Sequence, residues 1–291
     1  MFRVNDNPEK TFLKRLQGGR RKAILFHYTS AAGLLGILKD RGIWATDIRY
    51  LNDSREYFYA LEVLREAIEI RKGSAKPKYL IALLEMLEDR LSQEHSTEIF
   101  ISSFTENPDQ LSQWRAYCAP HGGFAVGFSS KRLVPATTGA CWMVRCQYDE
   151  GEQRELAETL IDLVIDPVEA ELRSDNREQI FKDAYRRFTR LLHLLAPAMK
   201  DPSFAEEQEW RLVIPGDSIQ VSPRFRISRS MLIPYHLHPL ASQDEPLPIE
   251  KVIVGPTPHE RLAVRATEIL FSENRLNAAN VVASAIPFRS W

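Results

Sequence analysis

The chain has 291 residues, 44% hydrophobic and 26% charged, which is enough for one large domain with a real core and unlike a disordered or collagenous chain. Lys and Arg total 38 against 39 Asp and Glu, so the whole chain is not an electrostatic glove for nucleic acid, although a local patch remains open. The three cysteines, Cys118, Cys141 and Cys146, are too sparse and odd in number for a disulfide framework. With no apolar run near the roughly 18 residues of a membrane helix and no signal-like start, the expectation is a cytoplasmic protein without a membrane span.

Residues 1–22 are polar and basic, with Lys10, Lys14, Arg15, Arg20, Arg21 and Lys22 in a short span. They read as a solvated lead-in helix and loop or, more sharply, as a phosphate-contacting arm. A buried strand follows at 23–28. Thr29 or Ser30 then caps a helix carrying Leu34, Leu35, Ile37 and Leu38, which Gly42 is expected to end. An extended piece begins at Ile43. Asn52-Asp53-Ser54 is a turn and N-cap signal before helices at about 55–72 and 78–95, a hairpin packed beside a sheet.

Strands are expected at 98–104, 124–128 and 142–148, with a short helix at 110–117 between the first two. Helices follow at about 153–172 and 177–199. Strands return at 209–214, 226–235, 249–254 and 281–286, with a helix at 258–272 before the last. Interleaved strands and helices without a βαβ rhythm say α+β rather than doubly wound. The organisation expected is one domain over 23–291, after the lead-in, with helical insertions at about 54–95 and 153–199.

The sequence has no GxGxxG after a strand, no P-loop, no HExxH and no GxSxG. His236, His238 and His259 are a thin case for metal, and Cys118 with His121 lacks an orienting third group. No metal is expected.

Four clusters place polar residues at the ends of apolar strands. In the first, His27-Tyr28-Thr29-Ser30 ends a strand just before a helix N-terminus, where backbone N–H groups face a polar ligand. Tyr50-Leu51-Asn52-Asp53 is the second, and a plain helix cap also explains it. The third runs from Ser102-Ser103-Phe104 to Ser112-Gln113-Trp114-Arg115-Ala116-Tyr117, an aromatic–arginine stretch able to stack a base and hold a phosphate. The fourth is Glu206-Glu207-Gln208-Glu209-Trp210-Arg211. If Glu207-x-Glu209 opens a strand, both carboxylates point to one side and repel unless a ligand or an arginine answers them. Arg211 is placed to neutralise the pair, in which case the cluster is structural.

These motifs occur in order with Gly33-Leu34-Leu35-Gly36-Ile37-Leu38, Trp44-Ala45-Thr46, Gly122-Gly123-Phe124-Ala125-Val126-Gly127-Phe128 and Val254-Gly255-Pro256. As an ordered set, over about 26–289, the chain resembles the bacterial domain-of-unknown-function family 2971, whose name carries no activity. More distantly, a strand-ending His, a middle-strand Ser or Tyr and a late Glu-x-Glu resemble the three-part signature of ADP-ribosyltransferases. That resemblance implies a split, mixed or antiparallel β-sheet clamping NAD as substrate, with peripheral helical hairpins. It implies His27 at the adenosine-side ribose and Ser103 at the nicotinamide ribose. It also implies Glu209 as the catalytic glutamate and Glu207 on the acceptor side. The middle motif departs from the pattern, and Tyr117 or Tyr50 is an alternative to Ser103.

On this reading Arg115 pairs with the pyrophosphate and Trp114 or Tyr28 stacks on a base, with Thr29 and Asn52 beside them. A fixed carboxylate suits the positive charge that develops on a ribose as its glycosidic bond breaks. The acceptor implied is a macromolecule, either protein or a nucleic acid met by the basic N-terminal span, and the roles that go with it by analogy are toxin and phage-defence effector. Competing readings are a non-catalytic nucleotide or nucleic-acid binding module, and a metal-dependent nuclease built on Glu207, Glu209 and Asp53.

Overall fold

The computed structural model describes residues 7–19, 21–51, 55–75, 77–93, 98–118, 122–134, 141–171, 176–219, 222–228 and 230–287. Asn52, Asp53 and His121 fall outside them. The described chain is α+β, with one mixed sheet and helices against both faces.

Helix α1 (Pro8–Leu16) is capped by the Asn7 side chain and buries Phe12 and Leu16. The expected lead-in is therefore part of the core packing, and Arg15 spends its charge on Glu155 at 2.8 Å. Strand β1 (Ile24–Thr29) leads into α2 (Ala31–Asp40), where Ser30, not Thr29, supplies the cap by accepting from Gly33 N–H at 3.2 Å. The helix does not end at Gly42. Arg41 takes the left-handed turn (φ 50°), and Gly42 already opens β2 (Gly42–Asp47). A Cβ at Gly42 would lie 2.7 Å from the His238 carbonyl, so glycine is needed there for close packing.

The expected hairpin is α3 (Arg55–Ser74) and α4 (Lys78–Ser92), followed by β3 (Ile99–Thr105), α5 (Leu111–Tyr117), β4 (Phe124–Ser129) and β5 (Trp142–Arg145). Two long helices, α6 (Glu150–Glu171) and α7 (Arg177–Leu195), then lead to β6 (Glu209–Pro215). The strand expected over 226–235 is a hairpin, β7 (Arg224–Ile227) and β8 (Leu232–Pro239). The chain closes with β9 (Ile249–Val254), α8 (Glu260–Glu273) and the short β10 (Val281–Ala283), which pairs parallel to β9.

The order β10-β9-β4-β1-β3-β2-β8-β7 is interrupted at β3. One edge of β3 pairs with β6 along its whole length, Ile99 against Pro215 through to Thr105 against Glu209. Its other edge is shared. β1 meets it only at Phe26–Thr105, and β2 only at Thr46–Ile101 and Asp47–Phe100. The sheet therefore forks at Ser102–Phe104. Alternation sorts the side chains by face. Ile99 and Ile101 of β3 and Val213 of β6 join the core under α1, α3, α4, α6 and α7. Phe100, Phe104, Trp210 and Leu212 join the opposite core, under α2 and α8.

Candidate functional site

From the last turn of α7 onward the chain runs through nine buried residues, Leu191 to Met199, and reaches Lys200, itself only 4% exposed. A buried ammonium needs anions, and Lys200 Nζ has three: Glu207 at 2.5 Å, Glu209 at 2.6 Å and Glu56 at 3.3 Å. The ring of Phe204 lies 5.0 Å from the same nitrogen. The second cation is Arg211, 2% exposed. Its guanidinium forks onto Glu209, Nε to Oε1 at 2.8 Å and Nη2 to Oε2 at 2.9 Å, and also binds Glu56. Its Nη1 donates to the Pro197 carbonyl at 2.9 Å. Three carboxylates thus meet two cations, leaving one negative charge in excess.

Local folding explains the meeting. Glu209 and Arg211 are two apart on β6, so both face the α3 and α6 side, where Glu56 in the first turn of α3 also places its carboxylate. Glu207 arrives differently. It ends a 3-10 turn, Pro202–Glu207, and Gln208 turns the chain in the left-handed region (φ 44°). The two glutamates share a side, as expected, but not through strand alternation. Buried Gln153 fixes the backbone of Lys200, donating from Nε2 to its carbonyl at 2.8 Å and to that of Gln147 at 2.7 Å, while Tyr59 donates to Oε1 at 2.5 Å. Tyr148 Oη accepts the Glu209 N–H at 2.9 Å, and the Cys146 thiol faces Glu209 Oε2 at 3.7 Å.

The two glutamates titrate in opposite directions. Burial raises both, but at Glu209 the charges and hydrogen bonds of Arg211 and Lys200 overcome it and hold the carboxyl down at about 2. At Glu207 burial prevails over Lys200, and the neighbouring anions Glu209 and Glu56 add to it, so the carboxyl lies above its ordinary value. Burial, then Glu207 and Glu209, raise the Tyr117 phenol. Tyr117 is 40% exposed and the Glu207 side chain 15%, so these two connect the cluster to solvent.

The other expected site residues scatter. Phe26, Thr105 and Glu209 stand in one row, which puts His27 on the opposite side with Phe104, 5.8 Å between ring centres. His27 and Glu209 therefore do not face one pocket. His27 Nδ1 instead bonds the Ser103 carbonyl at 2.9 Å, and Ser103 sits beside Arg211 in register. Trp114 is no stacking platform. It is 1% exposed, its indole N–H donates to Asp109 Oδ1 at 2.7 Å, and Tyr28 meets it edge-on at 4.6 Å. Tyr28 is also committed, donating to the Asn107 carbonyl at 3.1 Å and accepting from Gln110 N–H at 2.9 Å. Thr29 Oγ1 packs over Gly33, Arg115 is exposed on α5, and Asn52 lies outside the described residues.

Glu56, Lys200, Tyr148 and Gln153 were not singled out by sequence. The one signal for Lys200 was a lone charge ending a long apolar run. Of the alternative sites, His238 Nε2 bonds the Leu133 carbonyl at 3.1 Å and His236 packs edge-on to Phe100 at 4.4 Å. Cys118, its thiol pushed up to about 12 by burial, lies 3.7 Å from the Thr29 carbonyl. No group of three His, Cys, Asp or Glu among the described residues is placed to hold a metal ion. No helix among the described residues is long and apolar enough to cross a membrane.

The family model described as "Protein of unknown function (DUF2971)" matches residues 113–212. That stretch supplies Tyr117, Tyr148, Lys200, Glu207, Glu209 and Arg211, all of the cluster but Glu56. No curated protein and no solved structure matches the chain.

Proposed function

We propose that this chain cleaves the nicotinamide–ribose bond of NAD and transfers the ADP-ribosyl group to a macromolecular acceptor. The observation that carries the reading is the pair of carboxylates on one ammonium, Glu209 held ionised and Glu207 pushed toward a proton. Two neighbouring carboxyl groups driven apart in pKa are how a site obtains a fixed anion and a proton acceptor at one pH. In this proposal Glu207 and Glu209 exchange the roles expected from sequence. Glu209, both oxygens engaged, is the buried anchor that positions Lys200 and Arg211. Glu207, the more exposed of the two, is the group that meets substrate.

In the step proposed, the C1′–nitrogen bond breaks and its electron pair stays on the nicotinamide ring. C1′ bonds an acceptor oxygen, and the proton of that oxygen passes to Glu207. The excess negative charge of the cluster opposes the positive charge that develops on the ribose. A nucleic-acid or protein acceptor suits a toxin or phage-defence effector.

The test is nicotinamide release by the purified chain, with and without DNA, RNA and lysate protein, beside Glu207→Gln. The expected result is a loss of about a hundredfold or more in a variant that stays folded at the assay temperature. No release under any condition, with no NAD-induced shift in melting temperature, overturns the reading.

One observation favours a second reading, a non-catalytic nucleotide or nucleic-acid binding module. The Arg211 and Lys200 contacts that saturate Glu209 make the cluster a clamp between β6 and α3 whatever else it does. On that reading nucleotide binds, nothing is released, and Glu207→Gln is silent.

A further inference from the structure

β7 is the last strand of the sheet, with β8, β2 and β3 between it and β6. Its pairing with β8 fixes which groups it leaves open. Ser228 N–H donates to the Met231 carbonyl at 2.9 Å, and the register then runs Ile227 to Leu232, Arg226 to Ile233, Phe225 to Pro234 and Arg224 to Tyr235. Hydrogen-bonded and non-bonded pairs alternate in an antiparallel ladder, so Arg226 and Arg224 are the residues bonded to β8. Pro234, which has no N–H, falls in a pair that needs none. Phe225 and Ile227 therefore turn their N–H and C=O groups outward, to an edge that no described strand covers.

Side chains alternate across the two faces of this edge. Phe225 and Ile227 share one face with Leu232, and they are 61%, 86% and 62% exposed. Arg224 and Arg226 share the other face. Arg224 is exposed, and Arg226 is half-buried with a weak contact from Nη2 to Thr46 Oγ1 at 3.5 Å. Burial lowers the pKa of Arg226, opposed only by the Tyr235 phenol. Among the described residues no carboxylate is in ion-pair reach of either arginine.

An open backbone edge, an apolar face and a face of arginines without acids together ask for a strand that alternates in the complementary way. A second copy of β7 does not supply it. One parity of pairing sets arginine against arginine, and the other sets arginine against Phe225 and Ile227. A nucleic-acid backbone answers the arginines but offers the edge no regular row of amide donors and acceptors. We propose that β7 is a docking edge for an extended segment of another protein in which acidic residues alternate with apolar ones. Its carboxylates meet Arg224 and Arg226, its apolar side chains cover Phe225 and Ile227, and its backbone pairs with theirs. This surface goes beyond the bond cleavage proposed above, because it takes no part in that reaction.

The experiment is fluorescence anisotropy of two labelled, end-blocked peptides titrated with the full chain, one alternating Glu with Val and the other Lys with Val. The Glu–Val peptide is expected to bind, and the Lys–Val peptide to bind more weakly by about tenfold or more. Reversing both charges, Arg224→Glu with Arg226→Glu, is expected to invert that preference. Ile227→Pro removes an outward N–H and no bond to β8, so it is expected to keep the fold, as its melting temperature will show. It should weaken Glu–Val binding by about tenfold. No binding of the Glu–Val peptide to folded wild type at millimolar concentration overturns the proposal. Equal affinity for the two peptides overturns it too. So does binding indifferent to Ile227→Pro in the folded variant, which would be charge attraction without strand addition. Displacement of the peptide by an RNA octamer at lower concentration would assign the arginines to nucleic acid instead. Dimerisation of wild type that Ile227→Pro abolishes would assign the edge to a second copy and overturn the proposal.

Discussion

Glu207 and Glu209 share the ammonium of Lys200, at 2.5 and 2.6 Å, yet only one of them is sealed from water. Glu209 takes three charge-assisted hydrogen bonds in a site closed by β5, β6 and α3, whereas Glu207 stands at the rim. Position, more than chemistry, separates an anchor from a reactive group here.

Removing charge from the two should therefore have unequal effects on stability. Glu209→Gln removes the one carboxylate on which both Arg211 Nε and Lys200 Nζ close, breaking the buried fork, and is expected to cost about 3–5 kcal/mol. Glu207→Gln leaves Lys200 two carboxylates and is expected to cost about 1 kcal/mol. Urea titrations of both variants at pH 7 measure the difference. Equal costs would mean that Glu207 is as structural as its neighbour.

The sequence made the elements legible where apolar periodicity was strong and left the partners dark. The α3–α4 hairpin, α6 and α7 all follow from their apolar spacing. Hidden features were local or tertiary in origin. Arg41 accepts a left-handed φ usually left to glycine, and the strand expected over 226–235 is the β7–β8 hairpin, with no glycine between Ile227 and Leu232 to mark it. Arg211 was a visible candidate to neutralise the glutamates because it is their neighbour. Glu56 and Lys200, remote in the chain from one another, come together only through the packing of α3 against the segment after α7. No spacing rule reports that.

Lys200 binds the cluster together, so its contribution should depend on the rim glutamate. Lys200→Met strands the carboxylates and is expected to be strongly destabilising alone. Combined with Glu207→Gln it should cost less than the sum, by roughly 1–2 kcal/mol, because one of the uncompensated anions is gone. A double-mutant cycle by chemical denaturation measures the coupling, and strict additivity would place Glu207 outside the cluster in solution.

Trp114 is a core residue, and the backbone around it is fitted to its ring. A Cβ at Gly255 would lie 2.8 and 2.9 Å from that ring and 3.0 Å from the Gly123 carbonyl. Gly255→Ala is expected to cost about 1–3 kcal/mol through overpacking and to alter the near-UV dichroism of the indole. A variant as stable as wild type would show that the ring has room to move and reopen Trp114 as a ligand-facing group.

Acid should weaken the fold in two stages. His193 is 5% exposed, both its ring nitrogens lack hydrogen-bond partners, and its pKa is pushed down to about 4. Burial is the main cause, with Arg90 adding to it and Asp217 opposing. A depressed histidine means that the unfolded chain binds the proton first. Stability is therefore full above the ordinary value of about 6.5 and falls as pH drops from there toward 4, by up to about 3 kcal/mol. The contribution of Glu209, whose pKa is also depressed, is lost lower, as pH falls from about 4.3 toward 2. His193→Leu removes two unpartnered polar atoms as well as the titration. It should be neutral or stabilising at pH 6 and should make the loss between pH 6.5 and 4 shallower, leaving the lower stage in place. Melting temperatures taken across that range measure both stages. An unchanged upper slope in the variant would assign it to the other histidines whose pKa values burial lowers, His27, His236 and His238.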